Sequence, residues 1–153
     1  MANGKTYGVT FPFRDSFDGK YLDTTDYEDE EIRSSLIHLL LTRKGSRYFL
    51  PEFGTRLYEF IFEPLDGPTF NQIEAEIRDS VEQFIPNLLI NNISVFAASE
   101  EEFTVVPTQA GNIEKNTFSL PGRASIEYTA KVRIDYTITN NVFNQSDFII
   151  INI

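Results

Sequence analysis

The chain of 153 residues has no cysteine, no tryptophan, a single histidine and a single methionine. Without cysteine there is no disulfide framework, no thiolate metal site and no cysteine nucleophile, so stability has to come from packing. The lone histidine, His38, has no second imidazole at ligand spacing, which leaves no basis for a metal site and favours a structural role in mid-helix. Basic charge is scarce too: 13 Lys and Arg face 23 Asp and Glu, a formal net charge of -10. Such a chain repels phosphate backbones and anionic lipid, so neither nucleic acid nor membrane is an expected partner. No segment approaches the ~18 apolar residues needed to span a bilayer, and the first residues lack a basic stretch followed by an apolar run. Secretion by that route and membrane insertion are therefore not expected. Gly45 and Gly54 are nine apart and neither opens a G-x-x-x-x-G-K phrase, so no phosphate loop, nucleotide or other cofactor is indicated.

What the chain does have is apolar and aromatic mass: 41% hydrophobic residues, with 14 Phe and 7 Tyr. That is enough for one core, and residues 1–153 read as one domain. Residues 1–23 carry Gly4, Gly8, Pro12 and Gly19 with scattered rings and no regular period, as in an extended arm; Phe11-Pro12-Phe13 reads as a clasp over the core or a partner contact. Residues 25–86 are helical. Thr25 and Glu28 form a T-x-x-E capping box, residues 26–31 are acidic at the positive end of the helix dipole, and Ile32, Leu36, Ile37, Leu39, Leu40 and Leu41 make a wide apolar stripe closed by Gly45. Leu57, Phe60 and Ile61 suggest a short helix over 55–62, stopped by Pro64. Asp66-Gly67-Pro68 opens a second long helix with Phe70, Ile73, Ile77, Val81 and Phe84 on one face, ended by Pro86.

From residue 88 the period changes to that of strands. Ile93 and Val95, then Phe103 and Val105, have strand character around a turn at 100–102, and residues 107–122 read as a loop. Residues 124–139 alternate apolar and polar without interruption, from Ala124, Ile126 and Tyr128 through Ala130, Val132, Ile134 and Tyr136 to Ile138. At ~3.3 Å per residue that strand would run roughly 50 Å, so part of it is expected to project. A turn at Asn140-Asn141 then leads to Phe148, Ile149, Ile150, Ile151, Asn152 and Ile153. Left on an open edge this run would aggregate, so it is either covered within the domain or reserved for a partner's strand. The fold class is α+β: two long helices and a short one on a mainly antiparallel sheet with an extended C-terminal hairpin.

Catalytic chemistry finds little support. Ser34, Ser35 and Ser46 lack a nucleophile-elbow context, and no catalytic residue is assigned. Glycoside hydrolysis needs only two carboxylates; Glu52 and Glu63, flanking the short helix, are the best pair, but capping or pairing with Arg47 or Arg56 is the simpler role.

The block of residues 40–64, LLTRKGSRYFLPEFGTRLYEFIFEP, resembles the phage baseplate wedge family that nucleates contractile tail sheaths and includes a baseplate component of type VI secretion systems. The resemblance rests on Leu40, Leu41 and Thr42, then Gly45 and Arg47, then Pro51, Phe53 and Gly54, then Phe62 and Pro64, and extends from about Phe11 through the long strand. Two positions depart from the family pattern: Ser46 stands where Glu is common, and Ile85-Pro86-Asn87 stands for Glu-Pro-Arg. In physical terms Gly45 and Gly54 allow tight turns, Pro51 and Pro64 stop helices, and Phe53 and Phe62 supply buried rings. The resemblance implies a non-enzymatic structural protein of the virion tail baseplate, assembled in the host cytoplasm in six copies. Residues 148–153 would receive a strand of the tail sheath protein, Phe11, Phe13 and Asn87 would meet wedge proteins, and tail tube or hub proteins would be further neighbours. The family has also carried the label of acidic lysozyme, which is the competing enzymatic reading.

Overall fold

The structure, a computed structural model, describes residues 8–11, 13–17, 19, 21–25, 27–64, 66–97, 117–119, 130–139 and 145–153. The expected strand at Phe103 and Val105, the turns at 100–102 and 140–141, Pro12 and the first part of the long strand lie outside those residues. Two α-helices and six strands follow one another as β1 Gly8–Val9, β2 Thr24–Thr25, α1 Glu28–Leu41, α2 Gly67–Phe84, β3 Leu88–Ala97, β4 Thr117–Ser119, β5 Ala130–Ile138 and β6 Gln145–Asn152. The α+β class is as expected.

The arm is not wholly without strand structure, because β1 and β2 pair antiparallel and fold it back on itself. That pairing also undoes the expected capping box. Thr25 is held opposite Gly8 in β2, its hydroxyl buried with no hydrogen-bond partner among the described residues, and α1 starts at Glu28 behind Tyr27, which makes no side-chain cap. The acidic first turn, Glu28, Asp29, Glu30 and Glu31, does face the positive end of the helix dipole. α1 ends at Leu41, four residues before Gly45. The expected short helix is a single 3-10 turn, Glu59–Phe62, and Phe62 is 90% exposed instead of supplying a buried ring. α2 matches its reading closely: the Asp66 carboxylate accepts from Thr69 N at 3.0 Å, proline stands at the helix start, and Ile73, Ile77 and Val81 are fully buried.

The larger sheet has the order β3-β5-β6-β4, with β3, β5 and β6 antiparallel in sequence and β4 parallel to β6. Residues 107–122 are therefore not all loop: they contribute β4. β5 alternates as expected, with Ala130, Val132, Ile134, Tyr136 and Ile138 buried. In β3 an extra residue at Asn91 bulges the strand, and the inward parity changes from Leu88 and Ile90 to Ile93 and Val95. The bulge lets both halves of β3 face the helices. Rows of side chains cross the sheet, Ile93 beside Ile134 beside Ile149 and Val95 beside Val132 beside Ile151, and the buried stripes of α1 and α2 close over them.

Replacing Ile151, fully buried in that row, with Ala is expected to cost about 2–5 kcal/mol in urea unfolding. Leu89→Ala, at an exposed position, should shift stability by less than about 0.5 kcal/mol. Similar losses at both positions would contradict this layering.

Candidate functional site: a clamped loop, an aromatic cluster and a sheet edge

After α1 the chain leaves at Thr42, travels out and returns at Thr55. The return is fixed by backbone hydrogen bonds from Thr55 N to Thr42 O at 2.9 Å and from Lys44 N to Thr55 O at 3.0 Å, and by the Thr55 hydroxyl donating to Leu40 O at 3.1 Å. The two passing backbones come so close at Gly54 that an added Cβ would lie 2.5 Å from Thr42 O, and Gly54 has φ +120. Only glycine fits there. Within the excursion, Gly45 at φ +87 donates to Pro51 O at 2.8 Å, Ser46 N and Oγ both donate to Arg43 O, and Phe53 N donates to Leu50 O. The motif residues Gly45, Pro51 and Gly54 thus form one clamp. Leu57 follows immediately and is fully buried.

The clamp delivers Arg47 and Phe53 to the side of α1. The Arg47 guanidinium lies 4.5 Å from the centre of the Phe53 ring and 3.2 Å from His38 Nε2, where it donates to the neutral imidazole. His38 in turn meets the rings of Phe11 at 5.8 Å, Phe13 at 6.5 Å and Phe53 at 5.7 Å, and Phe53 meets Phe84 at 5.2 Å. The edge-on pairs among these, all but the tilted His38–Phe53 pair, add about 0.5–1.5 kcal/mol each beyond area burial. Phe11 is further held by its backbone N–H donating to Ser34 Oγ at 3.2 Å. These residues border a concavity of about 360 Å³, with Glu31 and Ile85 on its rim. Burial and then the Arg47 charge push the His38 pKa below its ordinary 6.5.

Four of the residues singled out from sequence therefore converge: Phe11, Phe13, Arg47 and Phe53. His38, read as structural, is the hub they share. A histidine one turn from the end of a wide apolar stripe, with Arg nine residues on, was the available signal. Pro86 and Asn87 do not border the concavity; the Asn87 carbonyl instead accepts from Thr139 N and its hydroxyl, tying the start of β3 to the end of β5. Phe62 and Pro64 are exposed and lie apart from the cluster. Glu52 and Glu63 are solvent-exposed, and neither borders this concavity nor makes an ion pair among the described residues. They do not form the enclosed two-carboxylate site that a glycosidase uses.

The apolar end of the chain lies inside the sheet, not on its rim. Ile149, Ile151 and Ile153 belong to the helix-facing core, while Phe148 and Ile150 are buried on the opposite face, Phe148 beneath Arg133 with the guanidinium 4.6 Å from its ring centre. β5 pairs with all of β6, but β4 covers only Ile150, Ile151 and Asn152 on the other side. Along residues 145–149 no strand lies on that side among the described residues. One ion pair ties this region to α1: Arg33 Nε sits 3.6 Å from Asp147, which accepts from the Tyr136 hydroxyl at 3.4 Å; burial, then the Asp147 charge, raises the Tyr136 pKa.

Known proteins resemble this chain in sequence and fold. The sequence model of the baseplate wedge protein gp25 family matches residues 26–141, which include α1, the clamp, α2 and all of β3, β4 and β5. The chain belongs to that family. Baseplate wedge protein gp25 of Enterobacteria phage T4 is 35% identical over 78 residues, 49% of this chain and 56% of the phage protein, so the match spans just over half of that relative's length. Two solved structures share the fold. A Geobacter sulfurreducens protein named as a candidate tail lysozyme has a TM-score of 0.54 at 16% identity, covering 81% of this chain and 89% of its own. A chain of the sixfold-symmetrised anti-feeding prophage baseplate has a TM-score of 0.54 at 22% identity, covering 68% and 90%. The glycine clamp lies within the matched residues and is, in this member of the gp25 family, a backbone crossing.

Gly54→Ala should lower the urea midpoint more than Gly45→Ala does. Both carry a positive-φ penalty of about 1–2 kcal/mol, but only at Gly54 does the new methyl strike backbone. Equal losses would refute the crossing as the reason for glycine. A second expectation concerns pH. Because the folded state depresses the His38 pKa, its contribution to stability is complete above about 6.5 and is lost as pH falls through the lowered folded value, the unfolded chain taking the proton first. Arg47 faces the imidazole and Glu31 shares its concavity. Melting temperatures between pH 7.5 and 5.5 should therefore fall less steeply in His38→Gln than in the parent; parallel curves would contradict this.

Proposed function

We propose that this chain is a structural component of the baseplate wedge of a contractile tail, present in six copies, and that it starts sheath assembly by accepting a strand of the sheath protein beside β6. Membership of the gp25 family is the observation that carries the first part. The second is supported by the short cover that β4 gives to β6: a strand added beside residues 145–149 would continue the β4 position, gain backbone hydrogen bonds to alternate residues of that stretch, and lie beside an already packed core. Ile150, Ile151, Asn152 and Ile153 then support that strand from within the sheet instead of meeting it as an open run. The wedge contact is assigned to the face bearing Phe11 and Phe13, where Phe13 stays exposed above the His38 cluster, with Asn87 as a separate candidate. Tail tube or hub proteins are further neighbours, and the assembly site is the host cytoplasm, the chain ending in the virion tail.

The lysozyme-like alternative would place an acid and a nucleophile at Glu52 and Glu63. Their exposure and separation from the concavity weigh against it. In cells producing the tails, removing the chain should abolish sheathed particles, and a Glu52→Gln/Glu63→Gln chain should restore them fully. Sheathed tails in the absence of the chain, or peptidoglycan cleavage by the purified parent that the double variant lacks, would overturn the proposal.

A further inference from the structure

The tip of the clamped loop has no work to do inside the molecule. Tyr48 and Phe49 are 96% and 97% exposed, Leu50 is 44% exposed, and among the described residues the two rings pair only with each other, edge to face at 5.9 Å. Three large apolar side chains in water are ordinary when scattered, but here they are consecutive and held on a backbone fixed by the hydrogen bonds at Gly45, Ser46 and Phe53. The loop therefore needs little further ordering to present them, which is the condition under which a few aromatic side chains dominate an interface.

The charge around the tip points to its receptor. Residues 43–56 hold Arg43, Lys44, Arg47 and Arg56 against a single carboxylate, Glu52, in a chain whose net charge is -10. Arg47 is engaged with His38 and Phe53, whereas the side chains of Arg43, Lys44 and Arg56 are exposed and form no ion pair among the described residues. Three exposed cations where the loop carrying the two rings leaves and returns are thus set apart on an acidic protein. Phosphate-bearing partners suit these cations but are opposed by the remaining charge of the molecule.

We infer that residues 43–50 are a preorganised docking plug, whose Tyr48 and Phe49 rings enter an apolar pocket rimmed by Asp and Glu on a different protein subunit of the same assembly. The exposed cations meet the rim and orient entry, and the rings supply the holding contact. This rests on the proposed place of the chain in an assembled tail and adds a partner surface distinct from both the sheet edge and the His38 cluster.

The test uses the full chain in tail-producing cells, with a benzophenone amino acid at position 48, irradiation of purified particles and mass mapping of the adduct. A Tyr48→Ser/Phe49→Ser chain is compared in parallel. The expected result is an adduct on an Asp- and Glu-bearing surface of another tail protein, with incorporation of the double variant into particles reduced at least tenfold. The purified variant should keep the parent's melting temperature, since neither ring packs on the core. An adduct on a second copy of this chain, on nucleic acid or on lipid, or incorporation of the double variant at the parent level, overturns the inference. Absence of the parent chain itself from particles would instead strike at the proposed function.

Discussion

The crossing of two backbone strands at Thr42 and Gly54 is the constraint on which the rest of the molecule depends. Because Gly54 carries no Cβ, the chain can close the excursion from Thr42 to Thr55 with three short hydrogen bonds. That closure sets the direction of everything attached to it. Phe53 is turned toward His38, Arg47 is laid across the Phe53 ring, Leu57 is delivered to the core, and Tyr48 and Phe49 are left outside. One backbone crossing therefore fixes both an internal cluster and an external one.

The same division between inside and outside runs through the sheet. β6 lies between two neighbours and buries its apolar residues on both faces, which removes the aggregation hazard of such a run, while the three-residue β4 leaves most of β6 without a strand on that flank among the described residues. Different groups of the same strand thus face different surroundings: side chains hold the core, and backbone on one flank of residues 145–149 meets no strand among the described residues. The Arg33, Asp147 and Tyr136 contacts tie the start of this strand to α1, so the flank is carried on a braced element.

Much of this was legible in the residues. The stripe of α2, its Asp66 cap and the alternation of β5 depend on local period and short-range hydrogen bonding, which the sequence carries directly. The capping box failed because a long-range pairing, Gly8 with Thr25, took its first member into a strand. The 3-10 turn in place of a helix, and the exposure of Phe62, follow from a segment of four residues too short to bury a face. β4 was hidden because a three-residue strand between Gly- and Pro-rich stretches has no detectable period. Of the site, the motif picked out Arg47 and Phe53 but not that they and Phe11 and Phe13 gather on His38, since that convergence depends on the backbone crossing and on the folded-back arm. The exposure of Tyr48 and Phe49 has no local signal in the residues, because it follows from the closure of the loop at Gly54.

The central claim is that a fixed core presents the β4 flank of β6 as a template for a sheath strand. A cryo-electron microscopy map of the intact tail at a level that separates strands tests it most directly. The account predicts a strand from the first sheath ring hydrogen-bonded along residues 145–149 and continuing the β4 position. A map in which that flank faces solvent, or is occupied by a strand of this chain alone, would contradict it.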